Sequence, residues 1–124
     1  MFRWLFCLLG LLSFAATGCA EADPKKADKE VPAVKGIPEK VLKVLKYVDE
    51  KGEAMEGYEG GRNFGNFEKL LPMNDDKNRR IKYREWDVNP LKKGVNRGAE
   101  RLVTGSDGSA HYTDDHYKSF KKIR

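Results

Sequence analysis

A chain of 124 residues has room for one folded domain and little else. Its formal net charge of +5 and pI of about 9.2 suit anionic partners such as nucleic acid or a membrane surface. Both cysteines, Cys7 and Cys19, lie in the first 19 residues, so no disulfide is left to staple the remainder, which must be held by core packing alone.

The apolar run Trp4 to Ala16 follows a single basic residue, Arg3, and spans 13 residues, short of the ~20 a membrane-crossing helix needs. It offers no polar face for a surface helix. Residues 1–18 therefore read as an export signal, placing the mature protein outside the cytoplasm, secreted or anchored at the membrane. Two readings of its cleavage stand side by side. Ala16-Thr17-Gly18-Cys19 resembles a bacterial lipobox, which would leave Cys19 as a lipid anchor; Gly18 and Ala20 also suit an ordinary signal peptidase. Residues 19–36 are charged, punctuated by Ala and Pro and poor in large apolar groups, which predicts a flexible tether.

The folded domain is expected over 37–124. Pro38 suits a first helical position, and Val41, Leu42, Leu45 and Val48 recur at helical spacing, with Lys40, Lys43, Lys46 and Glu50 on the wet side and Gly52 as a stop. The pattern then changes to short strands. Asn63–Phe67 reads as a strand or loop closed by Leu70-Leu71-Pro72, and Met73–Asn78 as a polar turn. Arg80–Val88 alternates, with Ile81, Tyr83, Glu85 and Asp87 on one face and Lys82, Arg84, Trp86 and Val88 on the other. Arg101–Thr104 and His111–Thr113 are joined by a Gly105–Gly108 turn, and Tyr117–Ile123 is read as a last strand. The sum is an α+β fold, one N-terminal helix packed on a twisted antiparallel sheet.

The two histidines, His111 and His116, stand five apart, which fits neither one helix face nor a zinc-finger spacing, so neither metal nor other cofactor is expected. A P-loop, a dinucleotide-binding fingerprint and a nucleophile elbow are absent. RNA phosphodiester cleavage needs a base for the 2′-hydroxyl, an acid for the leaving 5′-oxygen, and cations for the phosphate. The C-terminal third holds one candidate for each: Glu85 mid-strand, His116 in the turn after Asp115, and Arg97 with Arg101 at the entry to a strand. Singly, each has a plain alternative: Glu85 as a solvated ion pair, His116 as a surface turn histidine, and the arginines as surface cations.

Four segments in order give these residues a joint meaning. They are Asn63-Phe64-Gly65-Asn66-Phe67-Glu68-Lys69-Leu70-Leu71-Pro72, Tyr83-Arg84-Glu85-Trp86-Asp87-Val88-Asn89, Asn96-Arg97-Gly98-Ala99-Glu100-Arg101-Leu102-Val103-Thr104-Gly105 and Tyr112-Thr113-Asp114-Asp115-His116-Tyr117-Lys118-Ser119-Phe120. This series resembles the barnase-like, guanyl-specific microbial ribonucleases over roughly Ile37 to Arg124. The resemblance implies Glu85 as general base, His116 as general acid and Arg97 and Arg101 as phosphate ligands, with a 2′,3′-cyclic phosphate as first product. It also implies guanine selection by Glu68, by backbone N–H groups at Asn66 and Phe67, and by flat contact with Phe64 and Tyr117, for which core packing is an equal alternative.

The chain departs from the family pattern at Phe67, where Arg is usual, at Gly65, where a larger polar residue is usual, and in the length of the Val88–Gly94 connection. RNA is the expected substrate and the chain is expected to be a monomer, and an acidic barstar-like inhibitor is a further partner the likeness suggests. The contrasting reading is a basic lipoprotein that grips RNA or acidic polymers without cutting them.

Overall fold

The apolar stripe of the first element finds its partner in the sheet. The computed structural model describes residues 34–124; the expected signal, Cys19 and the tether up to residue 33 lie outside them. Helix α1 spans Glu39–Lys51 and buries Val41, Leu42, Val44, Leu45 and Val48. Pro38 stands one position before the helix, extended at ψ 142°, and its carbonyl accepts from the Val41 and Leu42 N–H groups. Pro38 is thus the cap and not the first helical residue: a proline has no N–H to offer, but its carbonyl opens the hydrogen-bond series. Gly52 ends the helix in the left-handed region, its N–H bonded to the Val48 carbonyl.

Five strands follow, β1 (Gly60–Phe64), β2 (Tyr83–Asp87), β3 (Arg101–Gly105), β4 (Ala110–Thr113) and β5 (Lys121–Lys122). They form one antiparallel sheet in sequence order, so every connection joins neighbours. Among the described residues the architecture is α+β, one helix on a five-stranded sheet.

Side chains alternate across such a sheet. Trp86, Val88, Leu102, Ala110 and Tyr112 join α1 in one core cluster. Leu71, Ile81, Tyr83 and Val103 form a second cluster on the other face, backed by Phe64, Tyr117 and Phe120. The alternation read along residues 80–88 is therefore the division between the two layers. Val34 also packs against the helix-side cluster, and the Ile37 N–H bonds to its carbonyl, so residues 34–36, assigned above to the tether, are folded onto the domain.

Two elements differ from the sequence-based expectation. The first strand begins at Gly60, earlier than Asn63, because a β-bulge interrupts its pairing: Gly60 opposes Trp86, while Arg62 opposes the next residue, Glu85. Gly61 takes up the extra residue at φ +84°, where a side chain would be strained, and a Cβ on Gly60 would lie 2.8 Å from the Trp86 ring. The last strand shrinks from the expected Tyr117–Ile123 to Lys121–Lys122. The Asp115 carboxylate accepts from the Lys118 and Ser119 N–H groups and the Ser119 hydroxyl, bending the chain through 115–119 before it can pair with β4.

Candidate active site

The face of the sheet opposite α1 carries Glu85 and Asp87 on β2, Arg101 and Val103 on β3, and His111 and Thr113 on β4. Register sets Glu85 beside Val103 and Asp87 beside Arg101. Asp87 is 1% exposed, and an anion this deep needs partners. It has two. Its Oδ2 accepts from Arg97 at 2.8 Å, and its Oδ1 lies 3.0 Å from Arg101 Nε. The second contact is an ion pair and not an aligned hydrogen bond. Arg101 is itself buried, and its Nη1 donates to the Gly98 and Glu100 carbonyls at 2.9 and 2.6 Å. Arg97 also pairs with Glu59, and hydrogen bonding to Asp87 holds its proton more firmly than usual. The two arginines expected as phosphate ligands are thus joined through one buried carboxylate.

Glu85 is largely enclosed, with a side chain 18% exposed, and carries one partner on each oxygen. Arg62 Nε lies 3.1 Å from Oε1, and the Tyr117 hydroxyl donates to Oε2 at 2.6 Å. Burial, with that hydrogen bond to the carboxylate added, pushes the Tyr117 phenol above its ordinary value. The contact spans 32 residues of chain and brings the loop that carries His116 to the strand that carries Glu85.

That loop is held in an uncommon conformation. His116 and Tyr117 both have positive φ, 60° and 68°. Left-handed backbone at two consecutive bulky residues persists only where the surroundings enforce it. The Thr113 hydroxyl accepts from the Tyr117 N–H and donates to Asp115, whose remaining bonds fix 118 and 119. The Ser119 hydroxyl first, with the other donors, pulls the Asp115 carboxyl down to about 2. The His116 N–H reaches the Ala99 carbonyl, and its side chain is exposed.

The loop expected to recognise the base, hereafter the recognition loop, follows β1. Asn66 is buried at φ 47°; its amide donates to the Leu71 carbonyl at 2.8 Å and accepts from the Leu71 N–H at 3.1 Å. Its side chain is therefore committed to closing the loop. Glu68 is exposed, and Phe67, 93% exposed, lays its ring against Gly65, where an added Cβ would stand 2.3 Å from the ring. The two departures from the family pattern are thus one feature, since the missing side chain at 65 is the space used by the ring at 67.

A cleft of about 380 Å³ lies between this loop and the His116 loop, lined by residues that include Phe64, Asn66, Phe67, Glu68, His116 and Tyr117. Phe64 and Tyr117 stack on each other at 5.2 Å and 24°, so both serve packing as well as lining the cleft. Among the described residues no group of three or more His, Cys, Asp or Glu side chains is placed to hold a metal ion.

The structure gathers the base, acid and arginine candidates around one face and the base-recognition candidates around one cleft. Sequence reasoning missed Asp87, Arg62, Glu59 and Asp115. Asp87 carried a usable signal: alternation sets it on the face of Tyr83 and Glu85, and a carboxylate in a buried row must find cations. Arg62 carried none, because its orientation depends on the bulge.

A family model described as ribonuclease matches residues 20–124. A guanyl-specific ribonuclease, St, from Saccharopolyspora erythraea is 39% identical over 72 residues, covering 58% of this chain and 66% of that protein, just short of two thirds of its length. Among solved structures, ribonuclease Sa2 with guanosine-2′-cyclophosphate aligns with a TM-score of 0.51 and 28% identity, covering 72% of this chain and 88% of that one. Ribonuclease Sa2 in complexes with mononucleotides aligns at 0.51 and 26%, covering 71% and 85%. On the span of that family match and the agreement in fold, the chain belongs to the ribonuclease family that the model describes.

Proposed function

We propose that this protein is an endoribonuclease that cuts single-stranded RNA after guanosine, with Glu85 as base and His116 as acid. The observation that carries this reading is the Tyr117–Glu85 hydrogen bond, which sets the His116 loop against Glu85, a carboxylate next to Asp87 that the arginine pair does not consume.

Glu85 takes the proton from the ribose 2′-OH, and that oxygen attacks the neighbouring phosphorus. His116, as imidazolium, protonates the departing 5′-oxygen, leaving a 2′,3′-cyclic phosphate. Water then opens the ring with the two roles exchanged. Arg97 and Arg101 stabilise the charge that builds on the non-bridging oxygens. Asp87 keeps both guanidinium groups fixed before substrate arrives, so little reorganisation is left for the reaction itself. DNA lacks the nucleophile and is not cut.

Guanine selection falls to Glu68, which can accept from N1–H and N2–H together, and to backbone N–H groups of the loop that Asn66 closes. Adenine lacks that donor pair, and a site built to receive it is left unpaired. Residues 1–18 as an export signal, with Cys19 as lipid acceptor or ordinary secretion in its place, complete the proposal.

The test is cleavage of RNA and of matched DNA by wild type, Glu85→Ala and His116→Ala, with chelator present. Wild type is expected to cut RNA alone, and each variant to lose at least ~10²-fold in kcat/KM. Full activity in either variant would remove the mechanism. Guanosine preference is read from GpN against ApN, with Glu68→Ala expected to collapse the margin.

A further inference from the structure

The guanidinium beside Glu85 has more donors than that carboxylate uses. Arg62 contacts Glu85 through Nε, its side chain is 54% exposed, and among the described residues its Nη groups have no polar partner. The Gly61 bulge sets it there: without the extra residue, Arg62 would not stand opposite Glu85.

Charge gives this cation a second significance. Glu59, Glu85 and Asp87 are held by Arg62, Arg97 and Arg101, three carboxylates against three guanidinium groups. Arg97 and Arg101 are already committed to Asp87, Glu59 and backbone carbonyls. Without Arg62 the constellation would carry an excess negative charge and repel the polyanion it is meant to receive. Arg62 is the most exposed of the three, its side chain 54% exposed against 28% for Arg97 and 8% for Arg101.

Resting on the ribonuclease reading above, we propose that Arg62 is a substrate-binding cation whose Nε holds Glu85 while its Nη edge takes an oxygen of a phosphodiester flanking the scissile one. Arg62 on β1 opposes Glu85, and Arg101 on β3 opposes Asp87, so the two arginines stand two strand spacings apart, roughly 9–10 Å, and two residues offset along the sheet, on either side of Glu85. It therefore reaches across the base from the arginine pair, to the next link of the RNA chain. An arginine suits this double role because its five donors point along separate edges of one plane, whereas a lysine presents its three donors from a single nitrogen and spans less distance between two acceptors.

The test uses uncleavable probes, so that binding is read without the reaction: the dinucleotide dGpdC, and the trinucleotides dGpdCpdC and dCpdGpdC, each with one further phosphate on a known side. Wild type is expected to bind one trinucleotide more tightly than the dinucleotide. Arg62→Gln should weaken that trinucleotide about tenfold more than the dinucleotide, and the slope of log Kd on log salt should flatten by about 0.7. Arg62→Lys should restore the salt slope without restoring full affinity. The trinucleotide affected tells whether the phosphate lies 5′ or 3′ of the cut. An equal loss on all three probes, or no loss on any, would overturn the proposal. Failure of wild type to cut RNA, with this binding pattern intact, would refute the reaction and leave the Arg62 site standing.

Discussion

The Asp87 side of the site and the recognition loop are held by opposite means. Asp87, Arg97 and Arg101 are bound by charge inside the protein, on strands or beside one, and the anion at their centre is 1% exposed. The loop from Gly65 to Leu71 is closed by one neutral amide, and it presents Phe67 and Glu68 to solvent. In the function proposed above, the first arrangement would fix positions for chemistry on a phosphate, and the second would leave the backbone free to receive a base. The difference teaches that in a fold without disulfides, rigidity is concentrated where charge must be preorganised.

The largest effect expected from breaking this division is at Asp87. Asp87→Ala leaves Arg101 buried beside no anion, an uncompensated charge that costs about 3–5 kcal/mol. Urea melts should show that loss, and cleavage should fall even where the variant is still folded. A stability change under about 1 kcal/mol would mean that the pair contributes nothing beyond a surface bridge.

The loop should respond differently. Asn66→Ala strips the Leu71 N–H and carbonyl of their partners, worth about 1–3 kcal/mol for buried groups. Here discrimination between GpN and ApN should drop more than the rate on the better substrate, since the catalytic face is anchored elsewhere. Equal losses in rate and discrimination would show that the two regions move as one.

Acid separates them in another way. Burial, with Lys122 adding to it and Asp107 opposing, lowers the pKa of His111 below its ordinary 6.5. The unfolded chain then takes up this proton more readily than the folded one, so stability falls as pH drops below 6.5. His111 touches Phe120, which packs on Phe64 and Tyr117 beneath the cleft, so this loss falls on the recognition side. Glu100 behaves later. Burial pushes its carboxyl up, but hydrogen bonds from Lys40, Tyr112 and Asn89 win and draw it down to about 2. Its stabilisation is present above 4.5 and is lost as pH falls toward 2, weakening the Lys40 tie between α1 and the entry to β3. Thermal melts across pH should show two steps, the first absent in His111→Phe and the second reduced but not abolished in Glu100→Gln, since Asp115 is also held down at about 2. A single step unaltered by either variant would contradict this order.

The smallest effect is expected at the loop tip. Phe67→Ala should weaken all dinucleotides about equally, by no more than the ~1–3 kcal/mol of one base contact. Gly65→Ala should imitate it, because the added methyl displaces the same ring. A reversal of base preference in either variant would show that Phe67 reads bases and does not merely support them.

The helix stripe, the strand alternation over residues 80–88 and the hairpin at Gly105 were legible in the sequence because each is local: period, sterics and turn chemistry act within a few residues. Glu85, His116, Arg97, Arg101 and Glu68 were legible as candidates through four motifs in order. What each side chain is bonded to was not. Asn66 was expected to meet the base through its backbone N–H, and the part its side-chain amide plays in closing the loop on Leu71 was not legible. Tyr117 was read as strand and is a left-handed loop residue gripping Glu85 across 32 residues. Arg62 was read as nothing, and one bulged glycine turned it toward the site.

The sequence by itself determined the helix, the alternation of faces along residues 80–88, the hairpin at Gly105 and the absence of a disulfide from the domain, since these follow from spacing and residue type. Only the tertiary structure decided which carboxylate clamps the arginines, which is left to act, and which cation stands beside it. Those are contacts between strands and loops distant in sequence, and their energies depend on burial and angle, which appear only when the layers close.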